Sequence, residues 1–177
     1  MILRFDDICV NTNMAHANAL AEMWRAGTRG DVWYCVSPLV EHRDDERIFP
    51  QIYKALSDYR HFFKVDACGI PDVPEWVTVC SHGLVHVDHR LIDRKAQEMS
   101  ILVSCHLLKS RVFVPPFNKW NSDMVDICRE NGIYLVCFED GWRSVECEQY
   151  SASVDKYYLH SRNVSTSMLS AWLEDMV

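Results

Sequence analysis

The chain has 177 residues with 18 basic against 25 acidic side chains, a formal net charge of -7, and it is 49% hydrophobic, 11% aromatic and 24% charged. These values exclude disordered, collagen-like and coiled-coil proteins and fit one globular domain over residues 1–177, able to bury about 70% of the surface its unfolded form exposes. No run of Lys or Arg exceeds two, no apolar stretch approaches the roughly 20 residues of a membrane span, and the N-terminus has no signal series; the expectation is a soluble, cytoplasmic protein with no nucleic acid and no membrane partner.

Short apolar runs alternate with segments of helical spacing. Ile2 to Phe5 reads as a first strand, and Met14 to Arg25 as a helix with Ala15, Ala19 and Met23 on one side. Val32 to Val36 is a second strand, and Asp44 to Tyr59 a helix that Pro50 starts late or kinks. Trp76 to Cys80 is a strand, Arg90 to Leu108 a long helix, and Val112 to Val114 a short strand ended by Pro115-Pro116. Ser122 to Glu130 is a helix stopped by Asn131-Gly132. Ile133 to Phe138 and Tyr157 to Leu159 are strands, and Ser165 to Met176 is a closing helix with Ser165 as its N-cap. The alternation predicts an α/β fold with a largely parallel sheet, open or closed into a barrel.

The eight cysteines are never closer than nine residues, so no Cys-x-x-Cys metal or redox motif exists. Several lie in apolar runs, as in Leu135-Val136-Cys137-Phe138, where a thiol acts as a small hydrophobe. Reduced core cysteines in a reducing compartment are expected.

In parallel α/β folds ligands bind at the carboxyl ends of strands. Asp6 and Asp7 follow the first predicted strand; His82 and His86 follow the third; Pro115, Pro116, Phe117 and Asn118 follow the fourth; His160 follows the last. Successive residues on an extended segment point opposite ways, so the two carboxylates are expected to have different jobs, one at a metal and one with protons. His82 and His86 stand four apart, where one helical turn would bring both imidazoles onto a common face. Two imidazoles and one carboxylate form a ligand set for a catalytic zinc that keeps a position open for water. His16, His42, His61, His89 and His106 carry no such pairing and are expected at the surface.

In order, Phe5-Asp6-Asp7, His82-x-x-x-His86, Val114-Pro115-Pro116-Phe117 and Leu159-His160 resemble the motif series of the polysaccharide deacetylases, metal-dependent carbohydrate esterases of the NodB-homology type. The resemblance implies a distorted (β/α) barrel with fewer than eight units. It implies that Asp7, His82 and His86 bind a divalent metal, zinc by default, that Asp6 is the general base, and that His160 is the general acid for the departing amine. The Phe117 backbone N–H would serve the oxyanion, and Pro116, Asn118, Trp120 and Trp142 are candidate substrate contacts, with packing in the core as the other reading of Trp120.

The reaction so implied is removal of an N-acetyl group from an acetylated oligo- or polysaccharide. Many members of the family carry Arg before the paired prolines to orient the base; this chain has Val114, with Arg111 or Arg143 as possible substitutes. The family's fourth motif is echoed loosely by Asp140-Gly141-Trp142. Those departures keep two other readings open: hydrolysis of a non-sugar amide at the same metal, and a non-catalytic glycan-binding or structural domain.

Overall fold

The computed structural model describes residues 2–8, 12–28, 30–38, 72–137, 143–144 and 158–160, with the backbone alone for Asp7, 143–144 and 158–160. The predicted helices 44–59 and 165–176, Trp142 and His42 and His61 lie outside the described residues.

Among the described residues seven strands form one sheet in the order β6-β5-β4-β3-β2-β1-β7. They are β1 (Ile2–Ile8), β2 (Asp31–Val36), β3 (Thr78–Ser81), β4 (Val112–Phe113), β5 (Tyr134–Cys137), β6 (Arg143–Ser144) and β7 (Tyr158–His160). All neighbouring pairs are parallel except β5 with β6. The sheet curls into a distorted (β/α) barrel of fewer than eight units, as the alternation of elements and the motif resemblance led us to expect. No helix among the described residues is long and apolar enough to cross a membrane.

Among the described residues three α-helices cover the outer face: α1 (Met14–Thr28), α2 (Arg94–Leu107) and α3 (Ser122–Glu130). Each begins where an Asx side chain accepts an orphan N–H: Asn13 from His16, Asp93 from Ala96 and Asn121 from Met124. The cap at Asp93 moves the start of α2 four residues past the sequence expectation, because His89–Leu91 forms a separate 3₁₀ turn capped by Asp88. At the far end of α3, Gly132 takes φ +64° and the Ile133 N–H returns to the Cys128 carbonyl, the stop expected of Asn131-Gly132.

The packed face of α1 differs from the expected one. Ala17, Leu20, Ala21 and Trp24 are buried, whereas Ala15 and Ala19 are exposed. The spacing is equally helical, but Leu20 and Trp24 offer far more apolar area than alanines, so burial follows them.

The strand period of two separates the interior into two layers. Leu3 and Phe5 of β1 join Val32, Tyr34, Val36 and the α1 side chains in the outer layer. Ile2 joins Trp33, Cys35, Cys80, Val112, Val114 and Val136 in the inner layer, which puts Arg4 and Asp6, two and four residues on, at that same inner side. The described cysteines, Cys35, Cys80, Cys105, Cys128 and Cys137, are all buried and form no disulfide among the described residues. Burial pushes the thiols of Cys35, Cys105 and Cys128 up, Cys105 to about 12, as suits inert core groups.

Candidate metal and catalytic site

Asp6 and Asp7 lie within β1 rather than after it, since the strand runs on to Ile8. The pairing of β1 with β2 shifts register between Phe5 and Ile8. A bulge of this kind re-aims side chains and is common beside active sites. Asp6 is therefore held on a hydrogen-bonded strand beside that irregularity.

Asp6 is 2% exposed and its Oδ2 is bonded to Arg4 Nη2 at 2.5 Å. Arg4 has no exposed surface, and the same Nη2 donates to Asn118 Oδ1 at 3.0 Å. Two successive same-side positions of one strand thus carry an ion pair, and its cation also grips the turn after β4. Breaking such a buried pair by removing one partner leaves an uncompensated charge in a low dielectric. The second carboxylate oxygen, Asp6 Oδ1, is buried and has no hydrogen-bond partner among the described residues, so it is an acceptor available for a proton.

The cation beside Asp6 therefore comes from β1 itself. Arg111, one of the two residues expected to serve there, is exposed, and Arg143 is described by its backbone alone. Val114 contributes through its backbone. Its N–H donates to the Ser81 carbonyl at 2.8 Å, and its carbonyl lies 2.7 Å from His82 Nδ1. A carbonyl only accepts, so Nδ1 carries the proton and Nε2 the lone pair, the tautomer a metal ligand needs.

His82 is 2% exposed and His86 half-buried, with ring centroids 5.1 Å apart. No helical turn brings them together, contrary to the spacing argument: residues 82–88 form an irregular bent loop. The Gly83 backbone at φ +81°, open to glycine without the cost of a Cβ, starts that bend. His86 packs on the Phe117 ring at 4.6 Å between centroids.

The turn Pro116–Asn118 is unusual in its backbone. Phe117 and Asn118 take φ of 60° and 54°, the left-handed region, which costs a non-glycine residue about 1–2 kcal/mol. Such strain persists where surrounding contacts over-determine it, here the Arg4 bond to Asn118 and the His86 contact of Phe117. The bonds within the turn run from Asn118 N–H to Pro115 and from Lys119 N–H to Pro116. The Phe117 N–H is not one of them.

The structure thus brings Asp6, Asn118, Phe117, His86 and His82 into one chain of contacts, through Arg4. Asp6 is also the register partner of His160 across β1 and β7. Pro116 is buried at the turn, and Trp120 is half-buried against the cluster of Ile101, Phe113 and Met124. Among the described residues no group of three His, Cys, Asp or Glu side chains gathers around one point; His82 and His86 supply two nitrogen donors, and Asp7 is placed by its backbone in β1. The donor set fits a divalent cation to that extent: two neighbouring imidazoles, one with its tautomer fixed by a carbonyl.

Sequence reasoning missed two residues. Arg4 was legible, because Arg4 and Asp6 alternate with Leu3 and Phe5, which places both charges on one side of the strand. His89 was not. Its ring is fully buried, bonded by Nδ1 to the Val87 carbonyl and by Nε2 to Ser100 Oγ, both at 2.9 Å, so the surface expectation for His89 is wrong. Exposure of His16 and His106 agrees with theirs.

Neither protein-family models nor curated proteins match the sequence. Solved structures do. A Streptococcus pyogenes deacetylase, PplD, in complex with acetate aligns at a TM-score of 0.51 and 14% identity over 98% of this chain and 69% of its own. A family 4 carbohydrate esterase from Streptomyces lividans in complex with acetate gives 0.48 and 12% over 78% and 61%. The Xyl-CE4 domain of a multidomain xylanase from the hindgut metagenome of Trinervitermes trinervoides gives 0.41 and 14% over 71% and 52%. The chain therefore spans between about half and two thirds of the length of these proteins. Its fold is that of the Streptococcus pyogenes deacetylase, in agreement with the polysaccharide deacetylase resemblance carried by its motifs.

Proposed function

We propose that this chain is a divergent polysaccharide deacetylase, a metal-dependent hydrolase that removes the acetyl group from an N-acetylated sugar or glycan. The observation that carries the reading is the unbroken series of contacts from Asp6 through Arg4, Asn118 and Phe117 to His86 and His82. It joins the expected base, the expected oxyanion donor and two expected metal ligands, which come from β1 and from the segments after β3 and β4. The fold shared with a deacetylase supports it.

Asp7, His82 and His86 would hold the cation, with the His82 ring fixed by Val114. When bound, a zinc-type ion supplies a Lewis acid for the acetyl carbonyl and lowers the pKa of water to about 7. Asp6 accepts the proton of the attacking water on Oδ1 while Oδ2 stays on Arg4. The Phe117 N–H, unused by its own turn, donates to the oxyanion as it develops. His160, whose strand pairs with that of Asp6, gives its proton to the departing amine, which is too basic to leave as an anion.

The test is acetate release from N-acetylglucosamine oligomers by zinc-loaded protein, with elemental analysis of wild type and His82→Ala. The reading expects acetate and about one zinc per wild-type chain, with zinc lost in the variant. Equal metal content in both proteins removes its premise.

A further inference from the structure

The loop from His82 to His86 is irregular, so no helical ladder of hydrogen bonds holds its two rings side by side. A buried side-chain pair stands behind it instead. His89 Nδ1 faces the Val87 carbonyl at 2.9 Å, so this nitrogen carries the proton and donates it. His89 Nε2 then has the lone pair and accepts from Ser100 Oγ at 2.9 Å. Ser100 Oγ in turn accepts the Leu84 N–H at 3.0 Å.

These three bonds run from the N–H of Leu84 to the carbonyl of Val87, the two flanks of the segment that presents His86. Every donor and acceptor among them is used once, with a neutral imidazole at the centre. Burial favours that neutral form. Ser100 belongs to the packed face of α2, so the loop is referred to a rigid helix.

A second observation concerns Gly83. A Cβ built there would lie 2.6 Å from His89 Cε1 and 3.1 Å from its Nε2. The His89 ring therefore occupies the volume that any side chain at position 83 would need. Glycine beside His82 and the buried imidazole at 89 are complementary halves of one packing arrangement.

We infer that His89, acting through Ser100, is a positioning residue for the His82–His86 pair: it sets the loop from behind and so fixes the separation and angle of the two rings. The inference rests on the reading of His82 and His86 as metal ligands. Groups that orient metal ligands typically change metal affinity by about 10 to 100-fold when removed, although they never touch the ion.

The experiment measures zinc affinity by competition with a chromophoric chelator, and the visible spectrum of the cobalt-substituted protein. Both are taken for wild type, His89→Ala, His89→Asn and Ser100→Ala, each checked by circular dichroism to be folded at the assay temperature. The expected result is zinc binding weakened roughly 10 to 100-fold in His89→Ala and Ser100→Ala, with an altered cobalt spectrum. His89→Asn, whose amide nitrogen keeps a donor toward Val87, should recover part of the loss. A histidine that served only the core would lower the melting temperature and leave affinity and spectrum unchanged in the folded variants; that outcome overturns the assignment. If His89→Ala does not fold, Ser100→Ala and His89→Asn decide the matter by the same readouts. A wild type that binds no zinc overturns the metal reading and this assignment together, whereas tight wild-type binding with unchanged variants overturns the assignment alone.

Discussion

Asp6 and His160 are register partners on the parallel strands β1 and β7, so their backbones lie about 4.8 Å apart. The proposed base and acid thus stand on adjacent strands at one level of the sheet. If His160 protonates the leaving group, its value depends on how basic that group is. His160→Ala should lower kcat on an N-acetylated oligosaccharide by about 10² to 10⁴-fold. On an aryl acetate ester, whose phenolate leaves without a proton, the loss should be much smaller. Equal losses on the two substrates would remove His160 from that role.

Arg4 and Asp6 form a pair with almost no exposed surface. Arg4→Met should destabilise the fold by about 3–5 kcal/mol in urea unfolding, because it strands a buried carboxylate. Adding Asp6→Asn should recover a large part of that, since the remaining side chain is neutral. Arg4→Lys keeps the charge on a shorter stem than the one that carries Nη2 to both partners, so it should weaken the simultaneous hold on Asp6 and Asn118 and release acetate more slowly than wild type.

Burial lowers the pKa of His89 from 6.5 to about 4. Between these values the unfolded chain binds a proton that the folded chain does not, so stability rises with pH across that window. The contribution is complete above about pH 6.5 and is lost as pH falls through about 4, amounting to roughly 3 kcal/mol. Urea unfolding of metal-free protein between pH 4 and 7 checks it: the wild-type curve should fall more steeply than that of His89→Asn, which has no titrating group there.

Phe117 holds φ at 60°. Phe117→Val, with a branched Cβ in the left-handed region, should be less stable than Phe117→Gly by about 1–2 kcal/mol. Both variants keep the backbone N–H, so Phe117→Gly should retain most acetate release, short of the roughly 10²-fold loss that removal of an oxyanion donor brings. Thermal unfolding and acetate assays on the two variants decide this.

The elements were legible because their signals are local. Short apolar runs marked β1 and β2, and Asn131-Gly132 marked the end of α3. The side of α1 that packs was misjudged, because spacing alone does not weigh a tryptophan against an alanine. His82 and His86 were noticed for a helical spacing that the loop does not use. The rings meet because Val114 fixes one of them and Phe117 packs on the other.

By itself the sequence determined the alternation of strands and helices and the order of the polar residues that follow the apolar runs, since each depends on neighbours a few positions away. Only the tertiary structure decided that Arg4 also grips Asn118, that Val114 acts through its carbonyl, and that His89 belongs to the core. Those contacts span 114, 32 and 11 positions of chain and are set by strand order and by which volumes close packing leaves open.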